Sequence, residues 1–428
     1  MEQVENTKQE DRKIFHFLPS GMVVSSKIMG FGNFIKMIFR MGWAYKRTLF
    51  YYFRKHGFKG AWTFFYVKFF VPVGEGAGGV AYFVLKPILK KFPILAPYPR
   101  YLEVEITTIC NKLCIHCEHT YWPMVDQERR HMNLEQFKKI VDQFPKLKWV
   151  NLTGEGSAFL DKDYVEMLRY LKNKGVAIYL VDHLSDITED VLEELIKMDI
   201  EGIYVSLDAA TKETYEKIKV GCNFDNVIRN LRKIIELKKK YNKPVPELCF
   251  RYVILKQNLH EMPDYIDLIA SLGTRKWLGD GSRVDFCGIL DFKEIKDFAV
   301  DKLPKDIVEE TIKRMKKHDI FGVFSHSEAD KNPPVENCLA WMEPYIMMGG
   351  YVLPCCAVMM SNVRPQLREK SFGNLYEKPM KEIWNSDRYR NFRKSVNNPN
   401  KPISPFCASC RAFDTKERIK KSGVDQKL

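Results

Sequence analysis

Cys110, Cys114 and Cys117 stand together in the stretch Cys110-Asn111-Lys112-Leu113-Cys114-Ile115-His116-Cys117. Three thiolates this close in sequence, on one loop, can converge on a single metal centre. Two chemistries compete for them. A structural zinc site wants four ligands, and His116, His119 or His131 could serve as the fourth. Three thiolates on a four-iron cluster instead leave one iron open to a reactive ligand, and a count of three favours iron–sulfur.

A second set lies near the C-terminus. Cys338 is followed by eleven residues, Gly350, four residues and then Cys355; Cys407 and Cys410 come later. Four thiolates spread over a small module are typical of a fully ligated centre, zinc or iron–sulfur. Cys356 is a spare or an alternative to Cys355. Cys249 and Cys287 fall in predicted strands and read as small buried hydrophobes, while Cys222 sits in a Gly-Cys-Asn turn.

The elements that must position the first thiols alternate. Predicted strands are Leu102–Thr108, Trp149–Thr153, Ala177–Val181, Gly202–Leu207, Leu248–Leu255 and Arg283–Gly288. Between them helical patterns cover Leu134–Phe144, Tyr164–Asn173, Thr188–Met198, Phe224–Lys240 and Met262–Leu272. About six βα units in series predict an α/β fold with a parallel sheet, either a barrel-like ring or a doubly wound sheet. Groups that do chemistry then belong at the C-terminal ends of strands, which is where the cysteine loop begins. From about Asn332 the alternation gives way to a Pro- and Cys-containing region, which predicts a separate small module. The expected division is therefore 1–99, 100–331 and 332–428.

The CxxxCxxC spacing after a first strand resembles the radical S-adenosylmethionine (radical SAM) superfamily, and further motifs agree in order. Asn151-Leu152-Thr153-Gly154-Glu155-Gly156 follows the second strand, where that family has a turn that binds the methionine amino group. Val205-Ser206-Leu207-Asp208 ends the fourth strand and leads into Thr211-Lys212-Glu213-Thr214-Tyr215. Phe224-Asp225-Asn226-Val227-Ile228-Arg229-Asn230 and Val253-Ile254-Leu255-Lys256-Gln257-Asn258 resemble later signatures, so the likeness spans about residues 100–290. It implies a partial (β/α)6 TIM-like barrel in which Cys110, Cys114 and Cys117 bind three irons of a 4Fe-4S cluster. S-adenosylmethionine would chelate the fourth iron. One electron into its sulfonium would leave a 5′-deoxyadenosyl radical that abstracts hydrogen from a substrate.

The resemblance also implies that Gly154, Glu155, Gly156 and Ser157 bind this cofactor, together with Asp182, Ser206 and Asp208. Relatives commonly have Glu-Pro at the end of the glycine turn, whereas here the chain runs Gly156-Ser157-Ala158. Either Glu155 or Ser157 then takes the amino-group contact. Asp182 and His183 stand where the family has a turn near the ribose. Arg251, on the fifth strand, is a candidate for a substrate carboxylate or phosphate, against an outward salt bridge; Asp280 and Asp285 flank the sixth strand as weaker candidates.

The C-terminal Cys…Gly-x4-Cys spacing, Phe372-Gly373-Asn374-Leu375 and Glu382-Ile383-Trp384-Asn385-Ser386 resemble a SPASM or twitch extension. With no cysteine after Cys410, the likeness implies one auxiliary 4Fe-4S cluster on Cys338, Cys355, Cys407 and Cys410, with zinc the alternative.

Composition narrows the class. The 428 residues are 45% hydrophobic and 29% charged, which excludes a disordered or collagen-like chain. No apolar run reaches the ~20 residues of a membrane span. The charged start MEQVENTKQEDRK is unlike a signal peptide, so a cytoplasmic location and reduced thiols are expected.

The charge is concentrated. Residues 1–100 hold 16 Lys and Arg against 5 Asp and Glu, +11 of the total +14, and residues 31–83 hold 18 of the 55 aromatics. As a helix, 31–54 would gather Lys36, Arg40, Arg47 and Arg54 on one stripe. Phe34, Ile38, Met41, Tyr45, Leu49 and Tyr52 would lie opposite, with Phe39, Trp43, Phe50 and Tyr51 on the flanks. Either the apolar face packs on the protein, or the segment lies on an anionic membrane as a peripheral anchor at its inner face.

These features lead to an expected radical enzyme acting on a lipid or other membrane-associated substrate. The alternatives are a SPASM-type maturase of a peptide or protein, and a non-catalytic metal protein that docks nucleic acid. No nucleic-acid motif accompanies the basic residues. The expected electron donor is reduced ferredoxin or flavodoxin, both acidic, and some of the basic surface would serve them.

Overall fold

The protein is described by a computed structural model covering residues 39, 42–70, 88–89, 91–122, 129–289, 292–325, 338, 340–356, 363–408 and 410. These residues divide into two compact units.

The first unit takes in the described residues of 56–182, 290–296 and 328–428. Its strands β1 (Tyr101–Glu105), β3 (Trp149–Thr153) and β4 (Ala177–Asp182) run parallel, with Leu102 opposite Val150 and Val150 opposite Ile178. A short extended piece, β2 (Leu113–Cys114), belongs to the cysteine loop. On the other side of β1 lies β10 (Tyr345–Met347), parallel to it and turning back into β11 (Tyr351–Leu353). The region expected to stand apart as a C-terminal module thus adds two strands to the edge of β1.

The second unit takes in the described residues of 1–55, 183–289 and 297–327. Its strands β5 (Gly202–Ser206), β7 (Glu247–Val253), β8 (Arg283–Cys287) and β9 (Gly322–Ser325) are all parallel, and β6 (Lys219–Val220) is a short separate piece. β9 was not foreseen, because four residues following the very polar helix Lys305–Lys317 carry little pattern of their own.

Alternation decides which sheet face does what. Leu102, Val104, Val150, Leu152, Ile178 and Leu180 are fully buried in the first unit, as are Ile203, Val205, Leu248, Phe250, Val284 and Phe286 in the second. The alternate positions carry Glu103, Asn151 and Thr153, and Tyr204, Ser206, Arg251 and Arg283, all half-exposed. One face of each sheet is therefore apolar core and the other is chemically equipped.

The helices begin where their caps say. Asn133 and Gln136 form a reciprocal capping box before Leu134–Val141, and Asn223 accepts from the Asn226 N–H before Phe224–Lys240. Helix Phe224–Lys240 buries Val227, Leu231 and Ile234 and ends on Lys239 and Lys240, favourable beside its negative pole.

The basic, aromatic segment forms helix Lys46–Phe70, interrupted at Gly57, which leaves helical geometry at φ 65°. Lys36, Arg40, Phe34, Ile38 and Met41 lie outside the described residues. The part before Gly57 is clamped to the second unit by one face. Thr48 donates twice to Asp280, at 2.9 and 2.7 Å, and Tyr51 donates to Asp199 at 2.7 Å. Tyr52 donates to Glu201 at 3.2 Å, and Arg47 stacks on Trp277. Arg47 thus leaves the expected solvated stripe. The face turned outward is instead aromatic: Trp43 is 71% exposed, Phe50 60% and Phe53 50%. Lys46 lies 3.7 Å over the Trp43 ring and Arg54 5.6 Å over Phe50.

Candidate functional site

The cysteine loop is held by its own backbone and by the turn after β3. The Cys117 N–H bonds the Cys114 carbonyl at 3.1 Å, closing the Cys114–Cys117 turn. The Thr120 hydroxyl donates to the same carbonyl at 2.7 Å, and Cys117 starts helix Glu118–Tyr121. Upstream, the Ile109 N–H bonds the Thr107 hydroxyl at 3.0 Å, and the Ile109 carbonyl accepts the Ser157 N–H at 2.8 Å. That last bond lays Gly154-Glu155-Gly156-Ser157 against the cysteine loop.

Glycine is required at this crossing. A Cβ on Gly156 would stand 2.6 Å from the Ile109 carbonyl oxygen and 2.7 Å from that of Thr107, both backbone atoms. Gly154, at φ 153°, would press a Cβ to 2.8 Å from Glu105 Cγ.

The three thiols sense one another. Burial pushes Cys117 up to about 12, and the neighbouring Cys114, Glu155 and Cys110 add to the rise. Burial likewise raises Cys110, with Cys114 and Asp182 contributing. Glu155 and Asp182 are themselves buried. A set of thiols and carboxylates that oppose each other's ionisation calls for a cationic occupant. Among the described residues, no three Cys, His, Asp or Glu side chains gather on a point that would hold a single ion. Three thiols on one loop are the donor set a 4Fe-4S cluster takes, each sulfur on a different iron. Two of the three histidines considered for zinc are engaged elsewhere: His119 Nε2 meets the Thr108 carbonyl at 3.1 Å and His131 Nδ1 the Thr107 hydroxyl at 2.9 Å.

Beneath the glycine turn lies an ion pair that sequence reading missed. Arg364, from helix Arg364–Lys370, grips the Glu105 carboxylate at 2.6 and 3.1 Å, and both side chains are fully buried. Glu105 also accepts the Met348 N–H at 2.7 Å, and Arg364 feels the charge of Glu155. The two partners lie 259 residues apart, so no local pattern announces them.

In the second unit, Ser206 ends β5 half-exposed, whereas Asp208 is buried. It pairs with Lys219 at 2.8 Å and accepts the Val253 N–H at 2.7 Å. Arg251 lies on the polar face with its guanidinium 5.4 Å from the centre of the Tyr204 ring. Arg283 takes Asp285 at 2.7 Å. Asp280 is taken by Thr48.

In the C-terminal region Asn397 clamps Cys338 from both sides, accepting its N–H at 2.7 Å and donating to its carbonyl at 2.9 Å. The Cys410 N–H bonds the Cys407 carbonyl at 3.3 Å. Burial raises the Tyr389 hydroxyl, and the half-buried Cys355 adds to the rise, while Cys356 is exposed. The frame is aromatic: Phe372 stacks on Tyr389 at 3.9 Å and meets Phe392 and Phe406.

The Radical SAM superfamily profile matches residues 104–269, and that of SPASM, an iron–sulfur cluster-binding domain, matches 338–411. The chain belongs to the radical SAM superfamily. It is similar to the tungsten-containing aldehyde ferredoxin oxidoreductase cofactor-modifying protein of Pyrococcus furiosus, 26% identical over 349 residues, covering 76% of this chain and 91% of that protein. It is also similar to mycofactocin maturase MftC of Mycolicibacterium smegmatis, 24% identical over 177 residues, 41% of this chain and 43% of that one. The fold is shared with Streptococcus suis SuiB, solved with S-adenosylmethionine, at a TM-score of 0.56 and 16% identity over 87% of this chain and 89% of that chain.

The protein is thus a radical SAM enzyme of partial-barrel α/β fold with a SPASM domain, and its cofactors are S-adenosylmethionine and 4Fe-4S clusters. When bound, these supply a carbon-centred radical able to take hydrogen from an unactivated position. This chain's own residues present the thiols on a cross-braced loop and hold the glycine turn flat against it. Among the described residues no helix is long and apolar enough to cross a membrane.

Proposed function

We propose that this enzyme is a maturase that modifies a peptide, with Cys110, Cys114 and Cys117 holding the adenosylmethionine-binding cluster. In this reading Glu155 and Ser157, on the glycine turn, receive the methionine moiety, and Asp182 lies towards the nucleoside. Cys338, Cys355, Cys407 and Cys410 hold one auxiliary cluster. The observation that carries the proposal is the pairing of a radical SAM domain with a SPASM domain, in a chain similar to a named cofactor-modifying protein over 91% of its length and to a named maturase over 43%. SuiB, which shares the fold at a TM-score of 0.54 in its complex, was solved with its precursor peptide SuiA. The peptide reading, an alternative at the sequence level, therefore displaces the lipid substrate as the leading one.

The test is 5′-deoxyadenosine formation by anaerobically reconstituted enzyme with S-adenosylmethionine and dithionite, with and without short peptides encoded beside it. A peptide-dependent rise with a mass change in the peptide, both absent in Cys114→Ala, is expected. Stimulation by lipid extract instead of any peptide would return the lipid reading to first place.

A second reading concerns location. The outward face at the start of helix Lys46–Phe70, with Trp43 just before the helix and Phe50 and Phe53 on it, exposed beneath Lys46 and Arg54, suits the surface of an anionic membrane. The underside of the same helix is already bonded to the protein, so this face stays turned outward.

A further inference from the structure

A cavity of about 450 Å³ opens in the C-terminal region of the first unit. Lys370, Arg388, Lys394 and Lys401 ring it, Phe392 and Phe406 are among its wall residues, and among the described residues no acidic side chain lines it. Arg388, Lys394 and Lys401 are exposed, and Arg388 is fixed at the rim by a 2.8 Å bond to the Lys370 carbonyl. The aromatic wall is rigid, because Phe372, Phe392 and Phe406 pack on one another and are buried. Four cations around one concavity raise a positive potential that favours an acidic partner and speeds its arrival.

We infer that this basic cavity is the docking surface for an acidic one-electron carrier protein of the flavodoxin or ferredoxin class. Three observations converge on that occupant. Reductive cleavage of S-adenosylmethionine consumes one electron, which this chain must receive from outside. The charge of the rim complements a carrier whose surface is acidic. Phe406 in the cavity wall is followed directly by Cys407, so a carrier seated here stands beside the auxiliary cluster; this last step rests on the ligand set proposed above. The balance is simple: the carrier leaves oxidised by one electron, and the sulfonium, reduced by one, gives methionine and the deoxyadenosyl fragment.

Small interfaces of this kind are held by rim charges and weaken with salt. The experiment compares wild-type holoenzyme with Lys370→Glu/Arg388→Glu/Lys394→Glu, each with iron content and cluster spectra checked. Flavodoxin binding is measured directly by calorimetry at low and high salt. Formation of 5′-deoxyadenosine is measured with flavodoxin and its reductase, and separately with dithionite. The expected result is a loss of flavodoxin affinity of about tenfold or more at low salt, and a similar fall in the flavodoxin-driven rate below saturation. The dithionite-driven rate should stay unchanged.

Equal flavodoxin binding by both proteins would overturn the proposal, as would a dithionite rate that falls in parallel. If the triple variant assembles poorly, the single exposed change Lys394→Glu and the salt dependence of the wild type decide the matter in the same way. No peptide substrate is needed in any arm, so failure here is distinct from failure of the maturase reading.

Discussion

Arg364 holds Glu105 by two hydrogen bonds at 2.6 and 3.1 Å, with neither side chain reaching solvent. The pair fastens helix Arg364–Lys370 to the end of β1, directly before the cysteine loop. Each half would be a costly buried charge alone, and together they satisfy one another and the Met348 N–H.

Breaking that pair from one side is therefore expected to be expensive. Arg364→Ala should destabilise the protein by ~3–5 kcal/mol, because it strands a buried carboxylate. The double change Arg364→Met/Glu105→Leu should recover most of the loss. Denaturant unfolding of the three proteins checks both statements.

Cys114→Ala should remove about four irons per chain and bring 5′-deoxyadenosine formation to background. The iron bound through the C-terminal cysteines should remain. Iron analysis and low-temperature paramagnetic resonance distinguish the two sites.

Gly156→Ala tests the crossing of the glycine turn over the cysteine loop. The added carbon meets backbone oxygens at 2.6 and 2.7 Å, so the loop must shift. A displacement near 1 Å is expected to cost about 100-fold in 5′-deoxyadenosine formation, with the circular dichroism spectrum retained. An unchanged rate would show that the turn lies clear of the reaction.

Lys238 provides a pH signature. It is completely buried, donates to the Pro246 carbonyl at 2.5 Å, and burial brings its ammonium down to about 7 from the ordinary 10.5. Between those values the unfolded chain binds the proton and the folded chain does not. Stability from this group therefore rises with pH from about 7 towards 10.5, and the full penalty is present below 7. Lys238→Met should be the more stable protein at low pH and should flatten this rise, as unfolding curves across that range would show.

Trp43→Ser/Phe50→Ser/Phe53→Ser removes the outward aromatic face and leaves Thr48, Tyr51 and Tyr52 in place. Sedimentation with anionic vesicles should fall by about tenfold or more, with neutral vesicles bound weakly by both proteins. Equal sedimentation of wild type and variant would dismiss the membrane reading.

Much of this architecture was legible in the residue order. The predicted strands at Trp149–Thr153 and Gly202–Leu207 and the helix at Phe224–Lys240 lie within a residue of the observed ones, because hydrophobic period and caps are local properties. The thiol spacing was legible for the same reason: a loop eight residues long can be read without its surroundings.

What stayed hidden depends on contacts across long separations. Nothing near Asp208 announces that Lys219 and the Val253 N–H will consume its carboxylate, and nothing near Arg47 announces the Trp277 ring. The strands β10 and β11 are three residues each, too short for a period, and form because β1 offers an open edge. The sequence by itself determined the reaction class, since the spaced thiols and the glycine turn are short motifs with their own chemistry. Only the tertiary structure decided which charges are spent on folding, such as Glu105, Arg364, Asp208 and Asp280, and which remain at a surface, such as Arg388 and Lys394. A charge acquires its role from what the fold brings within a few ångströms of it.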